Sequence, residues 1–196
     1  MQFYQICGNI SVFKSNFIND KRNCDGRKLT EVYCGNGIGK TTLAIGQSLR
    51  ACGQGKSVII IQFLKGRERR ELDFLEELDN MDIKIFRFER MDRCYEDLSV
   101  EEKKEERLNI LNGLNFARKV IATQECDFLL LDEILRLLDN GITTEETIGE
   151  ILKLKDESMH IVMTGQELPE GLRKYVDRVT TLSTENISND ECSTEE

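Results

Sequence analysis

Short apolar runs rich in β-branched residues alternate with longer amphipathic stretches along most of this chain. Ser57–Phe63 is apolar at five of seven positions, as expected of a strand buried on both faces. Tyr33 and its neighbours, Ile83–Phe88, Phe128–Glu133, His160–Thr164 and Arg178–Leu182 are predicted to be strands as well. Between them the helical period appears over Thr42–Cys52, Glu68–Leu78, Val100 to about Ala122, and from Thr143 through Leu154. Ser99 and Glu102 form a capping box at the start of the longest of these, and the Glu- and Lys-rich first turns after it read as a solvated face. Pro169, the only proline, suits the first turn of a short helix through Val176, and Asp139-Asn140-Gly141 is a turn. Such alternation predicts an α/β domain with a mostly parallel sheet and helices on both faces.

Ligands of such sheets sit outside the carboxyl ends of the strands, so the loops after Cys34, Phe63, Phe88, Leu131 and Thr164 are expected to surround one site. The first of these loops is Gly35-Asn36-Gly37-Ile38-Gly39-Lys40-Thr41-Thr42. Its glycines allow a tight turn whose N–H groups point at an anion, and the following helix adds its positive end. In a phosphate cradle of this kind Lys40 meets phosphate oxygens and the Thr41 hydroxyl sits on Mg²⁺. The usual spacing, G-x-x-x-x-G-K-[ST], would need glycine at Cys34, so this loop is one residue shorter. The carboxylates of Asp132 and Glu133 end the fourth strand, where one of them can hold Mg²⁺ opposite Thr41. The fold expected is therefore P-loop NTPase-like. Arg67, Arg69 and Arg70 cluster past another strand end, suited to triphosphate or to a solvated helix start.

Composition narrows the partners. A net charge of −9 argues against nucleic acid or a membrane surface, and no apolar run approaches the roughly 20 residues of a membrane span. No secretory segment is expected in the first 30 residues. The seven cysteines are odd in number and form no C-x-x-C, which predicts reduced thiols in a reducing, cytoplasmic setting. His160 is the only histidine and opens an apolar run, so it reads as a strand-edge residue and not as a base.

Three regions are expected. Residues 1–27 are a poorly patterned arm, 28–182 form the phosphate-binding domain, and 183–196, with five acids and no Lys or Arg, form a disordered tail.

Several stretches together resemble the P-loop class of ATP:corrinoid adenosyltransferases. They are the short glycine loop, Arg50-Ala51-Cys52-Gly53-Gln54-Gly55-Lys56, Gln62-Phe63-Leu64-Lys65-Gly66, Asn112-Gly113-Leu114-Asn115-Phe116-Ala117, Leu131-Asp132-Glu133 and Met163-Thr164-Gly165. The resemblance implies transfer of the 5′-deoxyadenosyl group of ATP to a reduced cobalt(I) corrinoid, with release of triphosphate. It implies ATP and Mg²⁺ at Gly35–Thr42, Lys40 and Glu133 as catalytic residues, and Glu133 ahead of Asp132 at the metal beside Thr41. Arg50, Gln62, Lys65 and Phe88 join the expected binding residues, with apolar side chains between Phe88 and Leu98 shielding the corrinoid. A homodimer and a reductase or flavoprotein electron donor are implied as partners. Ile38 stands where the family usually has Lys, Gln166 where it has Arg, and Phe88–Tyr95 replaces its Gly-Phe-Thr-Trp-like segment. Two other readings of the loop stand beside this one: a P-loop NTPase or kinase acting on the γ-phosphate, and a non-catalytic ATP- or corrinoid-binding paralogue.

Overall fold

A computed structural model describes residues 28–64, 81–91 and 93–186. The helix expected over Glu68–Leu78, Lys65, the three clustered arginines and the arm over 1–27 lie outside the described residues.

Six strands, β1 (Thr30–Cys34), β2 (Val58–Phe63), β3 (Ile83–Phe88), β4 (Phe128–Asp132), β5 (His160–Thr164) and β6 (Arg178–Thr181), form one sheet in the order β3-β2-β4-β5-β1-β6. Every pairing is parallel. The helices are α1 (Lys40–Gly53), α2 (Val100–Thr123), the short α3 (Arg136–Asp139) and α4 (Glu145–Leu152). Two 3₁₀ turns cover Tyr95–Asp97 and Glu170–Tyr175.

Alternate side chains of the inner strands serve two cores. Ile59, Ile61, Phe63, Leu129, Leu131, Ile161 and Met163 pack with Ile110, Leu114, Ala117 and Ile121 of α2 and with Ile148 and Ile151 of α4. Tyr33, Val58, Ile60, Leu130 and Val162 pack with Ala44 and Ala51 of α1 on the opposite face. Leu129, Leu130 and Leu131 are fully buried, each stabilising the sheet by about 2 kcal/mol through the area removed from water. This is why a continuous apolar run, with no alternation, marks these strands.

The element ends differ from expectation where one backbone angle decides. β4 stops at Asp132 because Glu133 takes a left-handed conformation, φ +62°. α1 begins at Lys40, two residues early, because Gly39 (φ +99°) itself makes the entry. Pro169 stands just before the Glu170–Tyr175 turn, which is 3₁₀ and not α-helical. The capping box forms as expected, Ser99 Oγ accepting from Glu102 N–H while Glu102 accepts from Ser99 N–H.

The first turns of α2 are not uniformly solvated, since Glu106 is buried. His160 is the strand-edge residue the pattern suggested. Its Nδ1 accepts from Leu29 N–H and its ring stacks on Phe128. Burial lowers its pKa to about 4, with Lys56, Lys155, Lys28 and Arg178 adding to the effect. Glu31, whose carboxylate lies 3.7 Å from His160 Nε2, is already held by Arg178 at 2.9 Å, so burial prevails. Cys34, Cys52, Cys94 and Cys126 are free thiols among the described residues.

Candidate active site

The glycine loop leaves β1 at its carboxyl end and enters α1. Gly39 caps the helix with no side-chain hydrogen bond, and no acidic residue stands in the first turn. Helix starts carry unsatisfied N–H groups and partial positive charge, so this one retains what an anion needs. α2 differs: its start is closed by the Ser99–Glu102 box.

Lys40 folds back across the loop. Its Nζ donates to the carbonyls of Gly35 at 2.7 Å and Gly37 at 2.9 Å, which fixes the ammonium inside the cradle. Asn36 and Thr42 are exposed, and Ile38 is 83% exposed at the crown. Gln166 reaches the same loop: its carbonyl accepts from Gly35 N–H at 2.8 Å, and its side-chain amide donates to Asn36 Oδ1 at 3.4 Å.

Two of the three glycines face the chain itself. A Cβ on Gly35 would lie 2.3 Å from the Leu182 carbonyl oxygen, and one on Gly37 would lie 2.7 Å from Ser183 N. Gly37 N–H donates to that same carbonyl, and Ile38 N–H to Thr184 Oγ1 at 2.8 Å. The tail expected to start at Ser183 therefore begins with residues laid against the loop; residues 187–196 lie outside the described residues. Only Gly39 would direct a Cβ into open space.

Asp132 is fully buried and gathers the site. Its Oδ1 accepts from Thr41 Oγ1 at 3.0 Å and from Thr164 Oγ1 at 2.7 Å, and its Oδ2 from Gln62 Nε2 at 3.0 Å. Arg87 Nε donates to Gln62 Oε1 at 3.3 Å, extending the network to β3. Glu133 N–H donates to Thr164 Oγ1 at 2.7 Å, and the side chain lies half-buried past the strand end. The resemblance favours Glu133 at the metal; here it is the Asp132 carboxylate that Thr41 meets. A hydroxyl and a carboxylate brought together are hard oxygen donors of the kind Mg²⁺ takes alongside phosphate oxygens and water. No cluster of three or more His, Cys, Asp or Glu suited to a metal occurs among the described residues.

The other expected residues separate. Gln62 is buried with its amide engaged by Asp132 and Arg87, so it holds the acid in place where a substrate contact was expected. Arg50 lies ten residues along α1, about 15 Å from Lys40 along the axis, at the far end of the sheet. Phe88 ends β3 and packs with Phe63 and Phe116. Beyond it, Leu64, Met91, Tyr95 and Leu98 line a small pocket with Glu89, Arg93 and Glu106. Sequence reasoning missed Thr164 and Arg87 as site residues. Thr164 offered one signal, a hydroxyl closing an apolar strand.

No helix among the described residues is long and apolar enough to cross a membrane. The profile of the family described as ATP:corrinoid adenosyltransferase BtuR/CobO/CobP matches residues 26–190. A corrinoid adenosyltransferase of Escherichia coli K12 is 25% identical over 162 residues, covering 81% of this chain and 78% of its own. One from Pseudomonas aeruginosa is 26% identical over 165 residues, covering 81% and 76%. One from Sinorhizobium is 28% identical over 166 residues, covering 81% and 73%. Among solved structures, the KaiC-like protein PH0186 of Pyrococcus horikoshii matches with a TM-score of 0.51 and 21% identity over 82% of this chain and 76% of that one, a likeness of fold. The short glycine loop, its tie to the end of β4 and a match spanning nearly the whole described domain agree, and the chain belongs to the ATP:corrinoid adenosyltransferase family.

Proposed function

We propose that this protein transfers the 5′-deoxyadenosyl group of ATP to a reduced cobalt(I) corrinoid and releases triphosphate. Cobalt supplies the electron pair that forms the bond to C5′, the C5′–oxygen bond breaks, and the pair of that bond leaves with triphosphate. Cobalt passes formally from I to III. The observation that carries this reading is the uncapped start of α1 with Lys40 and Thr41 beside the buried Asp132, in a chain of this family. The chain's single histidine stands at the opposite, amino edge of the sheet, which suits a reaction whose nucleophile is the substrate metal.

The uncapped start of α1 and Lys40 hold the leaving triphosphate and stabilise the charge that grows on it. Thr41 and Asp132 would hold Mg²⁺, which supplies Lewis acidity and a template for the phosphates. Gln62 and Thr164 keep the Asp132 carboxylate aimed at Thr41. Gln166 and Asn36 hold the opposite side of the loop. The corrinoid lies on the surface past the end of β3, where Leu64, Met91, Tyr95 and Leu98 stand together and keep water from the cobalt. A flavoprotein or other reductase delivers the electron, two copies form the working unit, and the protein acts in the cytoplasm.

Anaerobic incubation with ATP, Mg²⁺ and chemically reduced cobalamin tests the proposal. A light-sensitive cobalt–carbon product and triphosphate are expected. Diphosphate with no such product would mean γ-phosphate chemistry, and corrinoid binding with no product would mean a binding protein. Lys40→Ala is the control, expected to lose about 10²-fold in rate with the melting temperature little changed.

A further inference from the structure

Glu106 of α2 is buried at 3% exposure yet lies outside the Asp132 network. Both its carboxylate oxygens accept Arg90 N–H, at 3.0 and 3.1 Å. Arg90 and Met91 open the loop that leaves the carboxyl end of β3. Burial pushes the Glu106 carboxyl above its ordinary value, against the opposing effect of that N–H group. A buried acid is a costly way to pack a helix on a sheet, and nearby Ile110 does that work with no polar atom.

α2 grips this strand end twice. Gly113 admits Phe88, since a Cβ there would lie 2.5 Å from the Phe88 ring. Two turns earlier Glu106 takes the main chain just past it. The grip fixes where Met91, Tyr95 and Leu98 stand in the pocket against Leu64. In the sheet β3 stands two strands from β4, on the side away from the phosphate loop, so the carboxyl ends of the two strands are about 10 Å apart. The span suits a nucleotide whose phosphates are held at the loop and whose adenosyl end meets a second substrate here.

We propose that Glu106 is a positioning residue for the corrinoid: by holding the main chain of Arg90 it sets the apolar surface on which the macrocycle seats, and so governs corrinoid affinity apart from ATP affinity. The inference rests on the adenosyltransferase reading above. It requires no contact between Glu106 and either substrate.

The test uses the full chain with Glu106→Gln and Glu106→Leu, ATP, Mg²⁺ and chemically reduced cobalamin. Gln keeps the size and one acceptor oxygen, so it serves if Leu fails to fold. KM for cobalamin is expected to rise at least about tenfold in Glu106→Gln, the loss of one charge-assisted bond, with KM for ATP within about twofold. Amide hydrogen exchange without substrates reads the grip directly, and the Arg90 amide is expected to exchange faster in the variants. Faster exchange with both KM values unmoved, or moved together, overturns the proposal, as does unchanged exchange. A wild-type protein that makes no adenosylated corrinoid overturns the functional reading instead.

Discussion

The Thr41 hydroxyl donates to the Asp132 carboxylate at 3.0 Å, which joins the first turn of α1 directly to the end of β4. A metal held as proposed above would add to this pair, and phosphate contacts would need little rearrangement of the strand ends.

Asp132→Asn is expected to reduce turnover at least about 100-fold and to cost about 1–3 kcal/mol of stability, because an amide donor would face donors from Thr41, Thr164 and Gln62. Glu133→Gln is expected to do less. Turnover against Mg²⁺ concentration for the two variants decides the matter, and a larger effect at Glu133 would return the metal-side role to it.

Gly35→Ala and Gly39→Ala separate two uses of glycine. Both residues have φ near +100°, a strain of about 1–2 kcal/mol for alanine. Only at Gly35 would the added carbon collide with the Leu182 carbonyl. Urea unfolding is expected to rank Gly35→Ala as the less stable by about 2 kcal/mol or more. Equal losses would mean that the chain after β6 shifts freely.

Truncation probes the same contact. A chain ending at 186 is expected to bind ATP like the full chain, since Thr184 remains on Ile38 N–H. A chain ending at Leu182 is expected to bind ATP about fivefold more weakly, the effect of losing about 1 kcal/mol of loop ordering. Calorimetric titration of ATP into both chains provides the comparison.

His160 makes stability depend on pH in a stated direction. Its folded pKa of about 4 lies below the 6.5 of the unfolded chain, so the unfolded state binds the proton more readily. The neutral ring contributes fully above pH 6.5, and stability falls by up to about 3 kcal/mol as pH drops toward 4. His160→Gln is expected to flatten that part of the curve in thermal melts taken from pH 4 to 7.5.

The strands were legible because a parallel sheet buried on both faces demands unbroken apolar runs, and Phe128–Asp132 obeys that rule. The cradle was legible because its chemistry is local: glycine, lysine and threonine within eight residues. What the glycines face was not, since Leu182 is 147 residues from Gly35 and only the sheet order brings them together. Arg50 follows the loop closely in sequence, but a helix carries it away at 1.5 Å per residue. Gln62 was expected at the site from the resemblance alone; that its amide would donate to Asp132 was not legible, because the two stand 70 residues apart and only the pairing of β2 with β4 brings them together. Glu106 sits among exposed acids and lysines, and only the rotation of α2 against β3 distinguishes it.

The placement of β1 has a consequence for biosynthesis. Among the described residues β1 pairs with β5 and β6, the last two strands, and the loop it carries is braced by residues made later still. Contacts so distant in sequence form late in folding. During translation the glycine loop waits for more than a hundred residues before it has a wall to lean on. A nascent chain interrupted before Leu182 carries the whole glycine signature without the carbonyl that Gly37 N–H leans on.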